Sequence, residues 1–465
     1  MNLLSTFDRV VWTVTVSLTL FIAATLLIGD RVGVRLVRVS PLAKAHSTDT
    51  ILIEFSEQMN RATVEDRFSL QPSIDGAFTW SGDTMRFRPA KPLEPGDTYT
   101  VALEPGAASR SGRTTLSEFQ FTFEVRQPQV VYLHPADGFP QNIWMADPAN
   151  PTEPQQITFS QSGILDFAVS PDGRQIAFSE RRSDRPASDI KRLNLDTGEV
   201  SPLTDCVDSD CSSPVWRPDG NMLAYTRVDM NTLLPGVGIS PFRIWLLDLT
   251  TNPATTQPLF QNSQALGYGP QWSADGNRLS LFDTSVPGLV VYDFNTDETV
   301  VIESENGSFG ALSPDGFNLV FPEVVLDQGR AWSQLLVAEL DEQNIHGLAP
   351  EGEPVDDTFA TWHPNGDRLA VGRRYRDDRF TQTIQLYSVN AENGESEPLI
   401  VDPRYNNGFV HWDPNGTALV LQRFQQFTDD GAQNRGGRPE IWTYHLESDT
   451  LTMIAENGMF PRWVP

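Results

Sequence analysis

Six times in this chain an apolar run leads into a short Pro/Ala-Asp/Asn-Gly turn, and an alternating apolar strand follows. The copies are FAVSPDGRQIAFSE from Phe167, VWRPDGNMLAYTR from Val215, QWSADGNRLSLFD from Gln271, ALSPDGFNLVFPE from Ala311, TWHPNGDRLAVGR from Thr361 and HWDPNGTALVLQR from His411. The turn residues Asp172, Asp219, Asp275, Asp315, Asn365 and Asn415 are spaced by 47, 56, 40, 50 and 50. Self-similarity at such a period marks a repeat architecture whose units cannot bury their faces alone, and periods near 40–50 with several short strands point to propeller blades. Asp/Asn-Gly is expected to close a two-residue hairpin turn with both residues at positive φ. A third strand follows in each unit, as in Arg243–Leu249 or Glu440–Tyr444. A polar turn such as Asp196-Thr197-Gly198-Glu199 then leads into a fourth.

The two ends of this array are each incomplete. Val130–Leu133, Asn142–Ala146 and Gln155–Phe159 read as second, third and fourth strands without a first. Met459–Pro465 reads as a first strand that stops at its turn. Joined, they make a seventh blade clasped from both ends, which closes the ring and leaves no inner edge exposed. Seven blades over residues 128–465 are therefore predicted, with six or eight as the alternatives.

Ahead of the repeats, residues 32–127 alternate strand-like runs with turn residues. The runs include Val34–Val39, Thr50–Phe55, Phe68–Gln71, Ala77–Trp80, Thr84–Arg88, Thr98–Leu103 and Glu118–Val125, with Pro95-Gly96 and Ser111-Gly112 between strands. Phe119, Phe121 and Phe123 recur with period two, so one face of that strand is buried. About seven short strands in so few residues suggest a β-sandwich. The segments IEFSEQM from Ile53, FTWSGDT from Phe78, FRP from Phe87 and PLEPGDTYTV from Pro92 resemble the bacterial Ig-like domain of the SbsA type. That resemblance implies a spacer or adhesive module without chemistry of its own, with Phe55, Trp80 and Tyr99 serving packing. The repeats resemble TolB-type (WD40-like) propeller repeats through their Ser-Pro-Asp-Gly turns and Ile-Trp strands. The combination of both with an N-terminal apolar segment is similar to envelope proteins of filamentous, Chloroflexi-like bacteria. The fold class expected is all-β: an N-terminal transmembrane helix (residues 1–31), an Ig-like sandwich (32–127) and a seven-bladed propeller closed by its C-terminal strand (128–465).

Val10–Gly29 is an uncharged run of twenty residues, about the length that crosses a bilayer core as a helix. A cleaved signal peptide is the rival reading, but no small-x-small site ends the run at Leu26-Leu27-Ile28-Gly29-Asp30-Arg31. Arg9 precedes the run and Arg31, Arg35, Arg38 and Lys44 follow it, which by the positive-inside rule places the domains in the cytoplasm. Large domains translocate largely regardless of charge, and the cysteine pair and domain types favour the outside, which is the localisation expected.

The formal net charge is −27, and residues 129–465 hold 21 basic against 47 acidic residues. Such a surface repels nucleic acid and anionic lipid. The two cysteines, Cys206 and Cys211, are too few for a structural zinc site and read as a short-loop disulfide in an exported protein, with two free thiols as the alternative. No Gly-x-Ser-x-Gly nucleophile motif occurs. The six histidines are scattered; His363 and His411 precede or follow tryptophans in neighbouring inner strands and read as blade residues. Asp205, Asp208 and Asp210 lack the glycine and distal Glu of an EF-hand. No catalytic residue, cofactor or metal is expected, and the chain reads as a non-enzyme.

In a four-stranded blade the connections between second and third strands emerge at one end, with the links between blades. The long insertions fall there: Glu180–Ser188, Val228–Pro241, Glu323–Trp332, Arg373–Thr381 and Gln425–Pro439. They carry Arg330 and the candidate partner-binding residues Arg181, Arg182, Arg185, Arg373, Arg374, Arg376, Arg379, Arg435 and Arg438. Loops on a rigid scaffold are where function concentrates. The expected function is a membrane-anchored envelope binding or scaffold protein whose loop face takes an anionic or acidic protein or a cell-wall glycan. The competing readings are intraface pairing with Asp184, Asp377, Asp378, Asp429 and Asp430, an enzyme acting on polysaccharide or peptide at the channel mouth, and a purely structural spacer.

Overall fold

A computed structural model describes all residues except 1–5, 29–32, 235, 261–265, 286, 305, 307, 309, 328 and 343. The end of the apolar run at Gly29 and the flanking Asp30 and Arg31 lie outside the described residues, as do Pro235 and Gln328 within two of the insertions. Thr6–Ile28 form a helix of 23 residues, and its described apolar side chains from Val10 to Ile22 are exposed. Among the described residues no helix is long and apolar enough to cross a membrane, so a span rests on the sequence run alone. The rest is almost entirely strand and divides into two compact units, Asp49–Arg126 with the N-terminal residues to Ala45, and Gln127–Pro465 with His46–Thr48.

The first unit holds two four-stranded sheets. One orders its strands Leu36–Ser40, Ile51–Phe55, Thr84–Pro89, Gly76–Ser81; the other orders Lys44–Ala45, Phe119–Val125, Thr98–Leu103, Phe68–Gln71. Alternation puts Ile51, Ile53 and Phe55 on the inner face of one sheet and Tyr99, Val101 and Leu103 on that of the other. Phe123 is buried and Phe119 and Phe121 pack beside it, as the period-two pattern requires. Phe55 stacks on Trp80 with ring centroids 6.1 Å apart, the Trp80 indole N–H donates to Glu65 Oε1 at 2.7 Å, and the Tyr99 hydroxyl accepts the Glu94 amide at 3.2 Å. All three aromatic residues are thus held by packing and internal bonds.

Among the described residues the second unit forms seven antiparallel four-stranded blades, the first two joined into one sheet by a parallel bridge between Ser188 and Asp210. Their inner strands are Ile164–Val169, Ser209–Trp216, Gly267–Trp272, Ala311–Leu312, Val355–Trp362, Tyr405–Trp412 and Met459–Val464, numbered here as blades one to seven. Each inner strand touches the next, and the last touches the first, so the ring is closed. Blade seven takes its inner strand from the C-terminus: Trp463 lies opposite Val130 and Arg462 opposite Val131 in antiparallel register. The buried residues form a separate apolar cluster at most blade interfaces, for example Ala370, Leu386, Trp412, Leu419 and Leu421 between blades five and six.

The turns between first and second strands differ from the expected form. In each of the six copies only the glycine takes positive φ, between 66° and 78°, while the Asp or Asn before it does not. The Gly173 amide donates to the Ser170 carbonyl at 2.9 Å, which makes Ser170-Pro171-Asp172-Gly173 a four-residue turn with Pro second and Gly fourth, the type I pattern. Side chains lock it: Ser170 Oγ donates to Asp172 Oδ1 at 2.6 Å and accepts the Gln175 amide at 2.9 Å. Ser273 with Asp275 and Ser313 with Asp315 repeat the arrangement.

Candidate interaction face

At the end of the propeller opposite those turns, the connections between second and third strands are long and carry most of the candidate arginines. Blade five departs furthest from expectation. Its second strand runs on to Tyr375, so Arg373 and Arg374 are strand residues, facing Asp357 and Asp356 across the ladder. Arg373 is 0% exposed and makes a bidentate pair with Asp357, Nε to Oδ1 at 2.7 Å and Nη2 to Oδ2 at 2.9 Å. It cannot meet a partner, which corrects its assignment as a binding residue. The sequence placed it at a loop start because charged residues end the apolar alternation; the pairing across strands keeps both charges inside the sheet. Burial pushes the Asp357 carboxyl above its ordinary value, with the Arg373 guanidinium pulling the other way.

Most of the other arginines are also engaged within the face. Arg374 pairs with Asp356 Oδ2 at 2.5 Å. Arg182 Nε meets Asp189 Oδ2 at 2.7 Å and its Nη2 meets Asp205; Arg185 pairs with Asp184 at 2.9 Å. Arg379 bridges Glu353 at 3.0 Å and Asp377 at 2.5 Å and lies 3.6 Å over the Tyr375 ring. Hydrogen bonds from Arg379 hold the Asp377 carboxyl below its ordinary value, and Arg185 does the same to Asp184. Arg438 pairs with Asp137 at 2.9 Å. Of the acidic residues expected as intraface partners, Asp184 and Asp377 take that role, whereas Asp429 pairs with Arg404 and Asp430 accepts the Thr428 hydroxyl.

Three candidates remain outward and without an ion pair among the described residues. Arg181 is exposed, with its guanidinium 5.7 Å from the Phe139 ring centroid; Arg376 is exposed, stacked 3.8 Å over Trp332, and donates through Nε to the Val355 carbonyl at 3.2 Å; Arg435 is exposed. Arg330 is exposed at the tip of a hairpin that was expected to be a loop but is paired from Asn318 with Glu339 to Asp327 with Arg330.

Apolar residues, which the arginine count overlooked, are the other exposed feature of this end. Leu233 (73% exposed), Leu234, Val237 and Ile239 stand out from the blade-two connection, Leu326 (77%) and Val324 from the blade-four hairpin, Phe380 from blade five and Phe139 from blade seven. Phe159, Val207 and Val401 are exposed on links between blades at the same end. A signal was present in Asn231–Ile239, where Leu, Val and Ile occur without strand alternation among Pro and Gly. Exposed apolar surface costs solubility and marks contact sites when it is gathered.

Cys206, on the link between blades one and two, and Cys211, already within the inner strand of blade two, are joined as a disulfide with Cα atoms 6.4 Å apart. Asp205, Asp208 and Asp210 each have separate partners in Arg182, Thr232 and Ser188. Among the described residues no group of three or more His, Cys, Asp or Glu could hold a metal ion. His363 is buried, its Nε2 donating to the Gly416 carbonyl at 3.1 Å and its ring edge-on to Trp412 at 4.8 Å. His411 Nε2 meets Arg462 Nη1. Burial, and the Arg462 charge second, push the His411 imidazole well below its ordinary value.

Residues 30–125 match the bacterial Ig-like domain. In this chain the bacterial Ig-like domain is the two-sheet sandwich described above, and the propeller follows it. The chain is similar to TolB from Acinetobacter baumannii (12% identity, 93% of this chain and 99% of that chain covered, TM-score 0.42). It is similar to oligogalacturonate lyase from Vibrio parahaemolyticus (15%, 70% and 86%, 0.48) and to the β-propeller domain of the Trilobed protease from Pyrococcus furiosus (12%, 79% and 97%, 0.47). A stretch of 71 residues is 38% identical to dipeptidyl aminopeptidase BI from Pseudoxanthomonas mexicana, covering 15% of this chain. The chain spans about a tenth of the length of that curated relative.

Proposed function

We propose that this protein is a membrane-anchored envelope scaffold, without catalysis of its own, that presents the loop end of its propeller to a protein or glycan partner. The observation that carries the reading is the concentration of exposed apolar residues at that end, from Leu233 and Ile239 to Leu326 and Phe380, with Arg181, Arg376 and Arg435 left outward among them. Rigid blades positioning exposed loop residues suit recognition. The uncharged run Val10–Gly29 supports a membrane anchor, and the Cys206–Cys211 disulfide supports an oxidising, extracytoplasmic setting. The test is crosslinking from native membranes with wild type and a Leu233→Ser, Leu234→Ser, Ile239→Ser variant, with protease accessibility reporting sidedness. Loss of a discrete crosslinked species in the variant is expected. An identical crosslinking pattern would sink the loop-face reading.

A further inference from the structure

A concave site lies on the flank of the ring, where blade seven meets the outer strand of blade six, with His134 and Glu456 at the loop-end limits of their strands. It is a cleft of about 470 Å³ lined by Tyr132, His134, Trp144, Pro151, Pro154 and Met453, with Glu456 at its edge. Its volume lies within the range of small-ligand sites, which are concave, mostly apolar and supplied with a few placed polar groups.

The sheet register builds it. Tyr132 and His134 alternate with Val131 and Leu133 along the strand Gln129–His134, so they share one face, and Trp144 sits directly opposite Tyr132 on the neighbouring strand. The His134 ring meets Trp144 edge-on with centroids 5.2 Å apart. Gly458 keeps the crowded side open: a Cβ there would lie 2.9 Å from the Tyr132 ring and 2.7 Å from Ile441.

The polar groups of this cleft are not used up. The Tyr132 ring is buried, its hydroxyl makes no hydrogen bond among the described residues, and burial pushes it up to about 12, so it stays a donor toward the cleft. The Trp144 indole N–H also makes no hydrogen bond there. His134 donates through Nδ1 to the Asn457 carbonyl at 3.1 Å, which leaves Nε2 as an acceptor. Glu456 adds an exposed carboxylate with no ion pair. The lining therefore offers two donors and two acceptors around an aromatic floor.

We infer that this cleft binds a neutral pyranose unit of a glycan. Sugar hydroxyls both donate and accept, which matches the mixed lining, and the C–H face of a pyranose packs on the negative face of an aromatic ring. A proline-rich peptide offers carbonyl acceptors to Tyr132 and Trp144 but no donor for His134 Nε2 or Glu456. An anionic sugar is disfavoured by Glu456 and by the acidic domain around it. The lining does not include Leu233, Leu234 or Ile239, whose substitution tests the loop-face reading, so either can fail without the other.

The experiment is isothermal titration of the full chain, in a zwitterionic detergent without a sugar headgroup, with cellotetraose, chitotetraose and a polyproline decamer. Heat of binding is expected with at least one oligosaccharide, weakened about tenfold by Tyr132→Phe and abolished by Trp144→Ala. Tyr132→Phe keeps the ring and its packing, so it reports on the hydroxyl even if Trp144→Ala fails to fold. No heat with either oligosaccharide at millimolar concentration, binding of polyproline alone, or oligosaccharide binding untouched by both substitutions would each overturn the inference.

Discussion

The Trp463 indole N–H donates to the His411 carbonyl at 3.2 Å and so ties the C-terminal strand of blade seven to the inner strand of blade six. The same contact recurs around the ring: Trp216 to Ala168, Trp362 to Ala311 and Trp412 to Thr361, at 3.1, 2.9 and 3.2 Å. Each tryptophan ends an inner strand, reaches the preceding blade, and satisfies a carbonyl that the open inner edge of that blade leaves free. The contact ties four of the seven junctions; Trp272 of blade three leaves its indole N–H without a partner among the described residues, and blades one and four carry Val169 and Leu312 at that place.

Replacing Trp463 by Phe keeps most of the apolar volume and removes the donor, so a loss of about 1 kcal/mol in urea unfolding is expected. Deleting residues 459–465 removes the whole strand, including buried Trp463 and Val464, and bares the edge of Gln129–His134. A large drop in melting temperature with association on a sizing column is expected. A truncated chain that melts like wild type would show that the clasp does not close the ring.

His411 gives the clasp a pH dependence. Its imidazole sits well below its ordinary value in the folded protein, chiefly through burial and then through Arg462, whose guanidinium stays charged with a value near 10. The unfolded chain titrates near 6.5 and binds a proton that the folded chain refuses. Stability is therefore full above that pH and falls as pH drops through 6.5, by up to about 1.4 kcal/mol per unit. Melting curves from pH 7.5 to 5 are expected to shift down in wild type and to flatten in His411→Gln. Equal slopes in both would remove His411 from the account.

Arg373 and Asp357 form a fully buried ion pair. Arg373→Met alone leaves an uncompensated carboxylate, and a loss of about 3–5 kcal/mol is expected. Adding Asp357→Leu removes that charge as well, and most of the loss is expected to return. Chemical denaturation of the two variants decides it, since an additive double mutant contradicts the pairing.

Reducing the Cys206–Cys211 disulfide frees a loop of sequence separation 5. Chain-entropy reasoning gives a loss of about 2 kcal/mol for so short a loop. Cys206→Ser with Cys211→Ser is expected to unfold at correspondingly lower urea, and wild type under reductant is expected to match it. No difference between oxidised and reduced protein would place the stability of that link elsewhere.

Much of the blade architecture was legible because each turn carries its own local chemistry. Ser, Pro, Asp and Gly at fixed offsets specify a turn within a few residues, and alternation at period two marks the strands beside it. The error at the turns was one of type: Asp172 bonds Ser170 and the Arg174 amide from negative φ instead of entering the left-handed region. The candidate site was less legible. Whether an arginine is a ligand or an ion-pair partner depends on what lies across the ladder, and Asp357 is 16 residues from Arg373. The cleft at Tyr132 was not visible at all, because its walls come from residues more than 300 apart in the chain.

By itself the sequence determined the repeat, the strand count per unit and the completion of the seventh blade by the C-terminus, since these follow from local turn chemistry and apolar periodicity. Only the tertiary structure decided which charges face outward and which polar groups lack partners. Arg373 and Arg376 are three residues apart, yet one is sealed against Asp357 and the other stacks in the open on Trp332. The free energy of a charge is set by the dielectric and the counter-charge around it, and both are properties of the folded neighbourhood.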